Sequence, residues 1–291
     1  METIDPREVL RALGETAVSA EPLAGGWDTS IWRVEQEGRT AVLRLLRATE
    51  QERARRERLA METALRAGVP APEVLAEGEW QGRPALLLSW LSGEPLAHRL
   101  RAEPARALPL GLAFGRTLAR LHSTRAPEAL RQRGVGWIDA AGPDEAPLQA
   151  RLHALTGDAN TPLHLDYHPM NTLTDGESIT GVVDWANAAA GDPRADLGRT
   201  LVLLQLILRI FGPRLPPAER GARRLFRVAA LRGYREAGGP TSEMAPFLAF
   251  GWLATARDLA PNLDRPGHWL RPEHLAFMRA RGAAWKRRAG V

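Results

Sequence analysis

The stretch His164-Leu-Asp-Tyr-His-Pro-Met-Asn171, followed by Val182-Val-Asp-Trp185, places two carboxylates and one carboxamide in a short segment. Asp166 precedes Asn171 by five residues, and Asp184 follows thirteen residues later. Phosphoryl transfer uses such a set. One carboxylate orients the attacking hydroxyl and accepts its proton, while a carboxamide oxygen and a second carboxylate hold Mg²⁺ at the nucleotide phosphates. The segment therefore predicts Asp166 as a catalytic residue and Asn171 and Asp184 as metal ligands.

Between Asn171 and Asp184 the sequence predicts a turn followed by a short strand. Asp175-Gly176 is typical of a turn, and the residues from Ser178 to Val183 are typical of a strand. Such a strand would bring Asp184 back toward the loop that carries Asp166. The catalytic loop of protein kinases has the same Asp-to-Asn spacing, with its metal-binding Asp on the strand that follows.

The sequence of this region resembles that of the aminoglycoside phosphotransferase-like family, which consists of small-molecule kinases with a protein-kinase-like fold. The family's catalytic loop appears as His164-Leu165-Asp166 and His168-Pro169-Met170-Asn171, and its metal strand as Val183-Asp184-Trp185. Its later Gly-Asp-Pro and Asp-Leu motifs appear as Gly191-Asp192-Pro193 and Asp196-Leu197. The order and the spacing of all these motifs make the resemblance specific.

The resemblance extends from Leu23 to Leu203 and implies an α+β fold with two lobes. The N-terminal lobe, residues 1–91, would bind nucleotide with an antiparallel sheet and one helix. The C-terminal lobe, residues 92–291, would be larger and mainly helical, and would carry catalysis and acceptor binding. Leu165 stands where the family usually has glycine. We expect no effect on the chemistry, because only the backbone turn is constrained there.

The resemblance also implies a site for ATP (or GTP). The loop from Gly25 to Ser30 would position the phosphates, because glycines admit backbone amides and hydroxyls donate hydrogen bonds. Its candidate binding residues are Gly26, Thr29 and Ser30. Ser89, Trp90 and Leu91 would form the hinge that offers backbone groups to adenine, although Trp90 could instead pack between the lobes.

Arg44 lies on the third predicted strand, where kinases place a phosphate-binding cation. An arginine there is permanently charged and can fork between a phosphate and a carboxylate. Glu57 fits the family spacing for that carboxylate, and Glu62 is the alternative.

Several polar residues near the catalytic loop have two interpretations. His168 could donate to the transferring phosphate, or it could bond to the backbone and shape the loop. His164 is expected to brace the loop. Asp196 could accept backbone amides of the loop or cap the helix that begins there. Asp192 and His122 are expected to be structural.

The rest of the chain alternates between strand and helix patterns. Helices are predicted at 5–19, 50–67 and 110–123, and again at 195–211, 217–238, 242–260 and 272–288. Hairpins are predicted around Glu37-Gly38 and Gln81-Gly82. Residues 125–149 lack a period and are predicted to form a surface insertion.

Composition excludes several classes of function. The chain of 291 residues has no cysteine, so disulfides, thiolate zinc sites and a cysteine nucleophile are excluded. The net charge of +5 is mild, and no basic run alternates with aromatic residues, which leaves nucleic-acid binding unsupported. No signal peptide is visible, and the longest apolar run is too short to span a membrane. We therefore expect a cytoplasmic protein. Its oligomeric state is expected to be a monomer or a homodimer.

The acceptor side is basic. From Asp192 to the end, eighteen Arg and Lys side chains stand against eight Asp and Glu. A polycation is a poor match for such a surface, although Asp258 and Asp264 could still line a pocket. We therefore expect a neutral or anionic hydroxyl compound as the acceptor of an ATP- or GTP-dependent, Mg²⁺-requiring kinase. An antibiotic-resistance kinase and a nucleotide-binding module without turnover remain alternatives. A protein kinase is disfavoured because the Asp-Phe-Gly and Ala-Pro-Glu motifs are lacking.

Overall fold

An antiparallel sheet with one long helix forms the N-terminal part of the chain. The structure is a computed structural model that describes residues 4–23, 30–133, 136–265 and 267–291. The five strands pair in the order β1-β2-β3-β5-β4. Their bounds are β1 Ser19–Pro22, β2 Ser30–Gln36, β3 Arg39–Leu45, β4 Val74–Trp80 and β5 Arg83–Ser89. Alternate residues such as Trp32, Val34 and Leu43 are buried, as expected for a sheet with one covered face.

The first predicted helix is shorter than expected. Helix α1 spans Pro6–Ala12, with Asp5 as its N-cap, rather than residues 5–19. Gly14 then adopts a left-handed backbone with φ of 75°, which ends the helical path. The chain next enters β1, where Ser19 pairs with Glu35, so sheet pairing replaces helix in this stretch.

Helix α2, Gln51–Arg66, lies between β3 and β4 and confirms the helix predicted at 50–67. Ion pairs one turn apart support it, including Arg53 with Glu57 at 2.9 Å. The helix ends before Gly68, whose φ is 71°.

The C-terminal part is mainly helical. Its helices are α3 Leu96–Ala102, α4 Ala107–His122, α5 Glu128–Arg133, α6 Ala146–Thr156, α7 Pro193–Ile210, α8 Pro217–Glu236, α9 Met244–Leu259 and α10 Pro272–Ala289. Its short strands are β6 Glu94–Pro95, β7 Thr161–Leu163, β8 Thr172–Thr174, β9 Ile179–Val182 and β10 Ala189–Gly191. The last four predicted helices are confirmed, and three of them begin with proline at the first position. None of the described helices combines the length and apolarity needed to cross a membrane.

The prediction of a surface insertion at 125–149 is wrong. The segment holds α5, a 3-10 turn at Trp137–Ala141 and the start of α6. Trp137 is buried, and its ring centroid lies 5.0 Å from that of Phe250 on α9. The burial depends on a partner more than a hundred residues away, so no local period reveals it.

One buried core continues from the N-terminal to the C-terminal part. Met61 of α2 and Leu86 of β5 belong to the same cluster as Phe114, Tyr167 and Trp185. The backbone also bridges the two parts, because the Val182 amide donates to the Pro70 carbonyl at 2.7 Å. The lobes therefore meet through packed apolar surface rather than through a bare linker.

Candidate active site

The catalytic loop is attached to α7 through one buried carboxylate. Asp196 is fully buried and accepts the backbone amides of His164, at 2.7 Å, and Leu165, at 2.9 Å. Of its two predicted roles, Asp196 therefore takes the first. The helix cap is Asp192, whose side chain accepts the Arg194 amide at 2.9 Å.

A chain of buried polar groups extends this attachment to two further helices. His122 on α4 contacts Asp196 through Nε2 at 3.2 Å, and its Nδ1 lies 2.8 Å from the Tyr234 hydroxyl on α8. Burial by itself raises the pKa of Asp196, but the hydrogen bond and charge of His122 and the contacts with His164 lower it below the ordinary value. Asp196 is thus held as an anion beneath the loop.

Leu165 adopts a left-handed backbone with φ of 59°. Glycine reaches this region without steric cost, whereas a leucine is strained there, which explains the usual glycine of the family. Two features hold the leucine in place: Asp196 binds its amide, and its side chain is buried.

His164 links the catalytic loop to the strand that carries Asp184. Its Nδ1 accepts the Asp166 amide at 3.2 Å, which places the proton on Nε2. Nε2 lies 3.0 Å from the Val183 carbonyl and can donate to it. The bracing role predicted for His164 agrees with these contacts.

Asp166 and Asn171 contact each other directly. The Asn171 Nδ2 donates to the carboxylate Oδ2 of Asp166 at 3.0 Å and to its carbonyl at 3.1 Å. Both bonds use the amide nitrogen, so the carboxamide oxygen of Asn171 points away and can accept a cation.

His168 lies beside Asp166. Its Nδ1 accepts the Met170 amide at 3.2 Å, which is a loop-shaping bond, and its Nε2 lies 3.7 Å from the Asp166 carboxylate. Burial by itself raises the pKa of Asp166, but the close approach of His168, followed by the charge of Arg199 and the proximity of His164, lowers it to about 2.

Asp184 is brought to the loop by its preceding residue. The Val183 amide donates to the Asn171 carbonyl at 2.9 Å. Asp184 itself is exposed and has a left-handed backbone, with φ of 62°. In the part of the chain that the structure describes, nothing bonds to its carboxylate.

The donor set of Asp184 and Asn171 fits Mg²⁺, which binds through one or two protein ligands and takes its other oxygens from phosphate and water. The described residues contain no group of three or more His, Cys, Asp or Glu side chains that could hold a metal ion alone. A cation here would therefore depend on the nucleotide for part of its coordination.

Arg44 and Glu57 form a buried ion pair. The Arg44 Nη1 lies 2.6 Å from the Glu57 Oε2, and Glu57 is fully buried. The alternative partner, Glu62, instead pairs with Arg58 at 2.7 Å. The spacing therefore selected the carboxylate that the structure pairs with Arg44.

The hinge residues differ in what they can offer a nucleotide. The Ser89 amide donates to the Glu73 carbonyl, and its hydroxyl accepts the Glu73 amide, so the N–H of Ser89 is already used. Trp90 is 41% exposed, with the Arg33 guanidinium 5.1 Å from its ring centroid, so it does not fill a seam between the lobes. Leu91 packs against Gly181 of β9.

The predicted phosphate loop is described only at its end. Ser30 begins β2 and pairs with Leu45. Gly26 and Thr29 lie outside the described residues.

Sequence reasoning missed three residues of this region. Tyr234 and Arg199 act around the loop as described above, and Arg199 also pairs with Asp258. Arg56 donates to the Ala186 carbonyl, just beyond Asp184. A helical arginine three residues after Asp196 was a usable signal for Arg199, because it shares a helix face with Asp196. Nothing local signals the other two.

Comparison with known proteins assigns the family. Residues 19–240 match the model of the phosphotransferase enzyme family, APH. The chain belongs to this family. It is therefore a phosphotransferase by family, and the expected resemblance is confirmed. A sequence search gives no matching curated protein.

Solved structures match over nearly the whole chain. A variant of a thermostable aminoglycoside phosphotransferase APH(4)-Ia, in ternary complex with AMP-PNP and hygromycin B, is 19% identical, with 98% of each chain covered and a TM-score of 0.64. Macrolide 2'-phosphotransferase MphH from Brachybacterium faecium is 22% identical, covering 95% of this chain and 97% of that chain, with a TM-score of 0.58. Amicoumacin kinase hAmiN, in complex with AMP-PNP, Ca2+ and Ami, is 12% identical, covering 92% and 88%, with a TM-score of 0.63. At such identities the likeness shows the fold, which is the two-lobed protein-kinase-like fold expected from the sequence.

Proposed function

We propose that this phosphotransferase uses ATP or GTP with Mg²⁺ to phosphorylate a hydroxyl group of a small molecule. The observation that carries the proposal is the hydrogen-bonded chain from Asp166 through Asn171 to Val183. Along this chain the candidate base Asp166, the candidate ligand Asn171 and the residue before the candidate ligand Asp184 are neighbours, which supports a joint role for the three. Structures of the same fold hold AMP-PNP, which supports a nucleoside triphosphate as donor.

Transfer would be direct. The acceptor oxygen attacks the γ-phosphorus, the bond to the β-γ bridging oxygen breaks, and the nucleoside diphosphate leaves. Asp166 orients the acceptor hydroxyl and takes its proton late, because a carboxyl whose pKa is about 2 is a weak base. A bound Mg²⁺ would neutralise charge on the phosphate oxygens, held by Asn171 and Asp184. His168, whose Nε2 faces Asp166, would also donate to the phosphate.

The nucleotide would bind to the N-terminal lobe, residues 1–91, and the acceptor to the C-terminal lobe, residues 92–291. Arg44 would bind phosphate oxygens while Glu57 fixes its guanidinium. Gly26, Thr29 and Ser30 would approach the phosphates. Because the Ser89 amide is used, Trp90 and Leu91 would supply the backbone groups for the base.

The acceptor would be neutral or anionic. Six of the eight acidic side chains after residue 191 have no free carboxylate to offer. Asp192, Asp196 and Glu219 are buried, and Glu236, Glu243 and Asp258 pair with arginines. A polycationic acceptor would therefore find few partners. Resistance to an antibiotic is a narrower version of the same function, and it is supported by the likeness of the fold to macrolide 2'-phosphotransferase MphH.

Two measurements test the proposal. A panel of alcohols, sugars and antibiotics is assayed with Mg·ATP and Mg·GTP for thermal shift and phosphate transfer. Calorimetry then compares the wild type with Asp184→Ala. The variant should lose Mg²⁺-dependent nucleotide binding, because the metal ion loses its principal carboxylate ligand. Unchanged affinity and unchanged metal dependence in the variant would remove Asp184 from the site. Nucleotide binding without transfer or hydrolysis would instead favour a module that lacks turnover.

A further inference from the structure

Arg56 on α2 differs from the arginines around it. Arg53, Arg55 and Arg58 each form ion pairs with glutamates, most of them on the same helix. Among the described residues, the charge of Arg56 is not matched by an ion pair. Its Nη2 instead donates to the Ala186 carbonyl at 3.0 Å, across 130 positions of sequence. The side chain is partly buried, so this bond is shielded from water.

Ala186 lies two residues after Asp184, in a stretch without regular secondary structure. Because no described group bonds to the Asp184 carboxylate, its direction depends on the backbone around it. That backbone is left-handed at Asp184, a conformation that persists only when neighbouring contacts enforce it. On the upstream side, the Val183 amide is held by Asn171. On the downstream side, Trp185 is buried and Ala186 is held by Arg56.

The next residue of α2 is Glu57, which pairs with Arg44. Consecutive residues of one helix thus contact the two groups that face the nucleotide, one through an ion pair and one through a backbone carbonyl. A shift of α2 would move both. The geometry points to Arg56 as a positioning residue that fixes the Asp184 segment and couples metal binding to the placement of α2. This inference rests on the proposed function for its metal part.

The test compares Arg56→Met, which keeps the aliphatic length and removes the donors, with Arg56→Lys, which keeps one charged donor. Arg55→Met is the matched control, because Arg55 lies on the same helix in an exposed pair with Glu52. The first readout is hydrogen exchange in the ligand-free protein, at the Ala188 amide that bonds to the Trp185 carbonyl. The second is nucleotide affinity measured with and without Mg²⁺.

In Arg56→Met, the Ala188 amide should exchange faster. The increase in nucleotide affinity on adding Mg²⁺ should be about tenfold smaller than in the wild type, while the affinity without Mg²⁺ stays near the wild-type value. Arg56→Lys should be intermediate, and Arg55→Met should match the wild type. If Arg56→Met equals Arg55→Met in both readouts, or only melts at a lower temperature, the inference is overturned and the proposed function stands. If the wild type itself gains nothing from Mg²⁺, the proposed function and the metal coupling both fail.

Discussion

In the proposed reaction, Asp166 acts as an anion at the acceptor hydroxyl. Replacing it by asparagine keeps the shape but removes the charge that would orient the hydroxyl and accept its proton. We expect Asp166→Asn to bind nucleotide normally and to lose at least ~100-fold in kcat, measured by steady-state phosphate transfer. Asp158→Asn, at an exposed turn, is the matched control. Near-normal turnover in a folded Asp166→Asn protein would remove Asp166 from catalysis.

The low pKa of Asp166 also has a consequence for the pH profile. Because the pKa lies near 2, below the ordinary value, the carboxylate stays ionised at every higher pH and protonates only as pH falls through that value. Asp166 should therefore cause no acid limb in kcat/KM at moderate pH. His168→Asn removes the strongest lowering contact, so the pKa of Asp166 should rise and an acid limb should move to higher pH. A variant profile that keeps the wild-type shape would show that His168 does not control this carboxyl.

At this scale, the sequence predicted residues that share a motif or a known spacing. Asp166, Asn171 and Asp184 lie within one segment, and Glu57 was chosen by its distance from a glycine. Tyr234 and Arg56 were not predictable, because each makes its contact with a residue more than a hundred positions away. Such contacts depend on how helices pack, and local patterns do not encode that.

The pair of helices α4 and α8 depends on glycine at the contact. A Cβ at Gly115 would lie 1.9 Å from the Ala230 carbonyl oxygen, and one at Gly233 would lie 2.3 Å from the Leu112 carbonyl oxygen. The two backbones therefore approach more closely than any side chain would allow. This contact supports both His122 on α4 and Tyr234 on α8.

We expect Gly115→Ala to lower the free energy of unfolding by about 1–3 kcal/mol, because the helices must separate. Urea denaturation measures it. Gly221→Ala is the control, since Gly221 is exposed on α8 and its Cβ would meet nothing within 4 Å. That variant should gain about 0.4–1 kcal/mol from its better helix propensity. Equal stability of the two variants would contradict the close-contact argument.

Elements with a sustained period were the predictable ones. Helices α2 and α7 to α10 show apolar residues at helical spacing with Pro or Gly at their ends. The stretch at 125–149 has none, because its short elements are ordered by the rings of Trp137 and Phe250. Helix α1 was overextended because its apolar pattern continues into β1, where pairing with β2 decides the conformation.

Across the whole molecule, the surplus of basic groups bears on the acceptor. A polycation approaching the C-terminal lobe meets like charge, and most acidic groups there are buried or paired. We expect aminoglycosides of the kanamycin type to be poor substrates beside neutral sugars and macrolides, as measured by kcat/KM at low and moderate salt. Efficient aminoglycoside phosphorylation that weakens as salt rises would mean that a few local carboxylates outweigh the regional charge.

The buried polar groups beneath the catalytic loop, Asp196, His122, Tyr234 and the neighbouring Tyr167, form a platform with an optical consequence. The chain has two tyrosines, and both belong to this platform: Tyr167, whose hydroxyl donates to the Phe114 carbonyl, and Tyr234, which contacts His122. Burial raises the pKa of each phenol, and the negative charge of Asp196 raises it further. The ultraviolet absorbance of phenolate in alkali, a signal usually averaged over many surface tyrosines, would therefore report here on the opening of one small region next to Asp166.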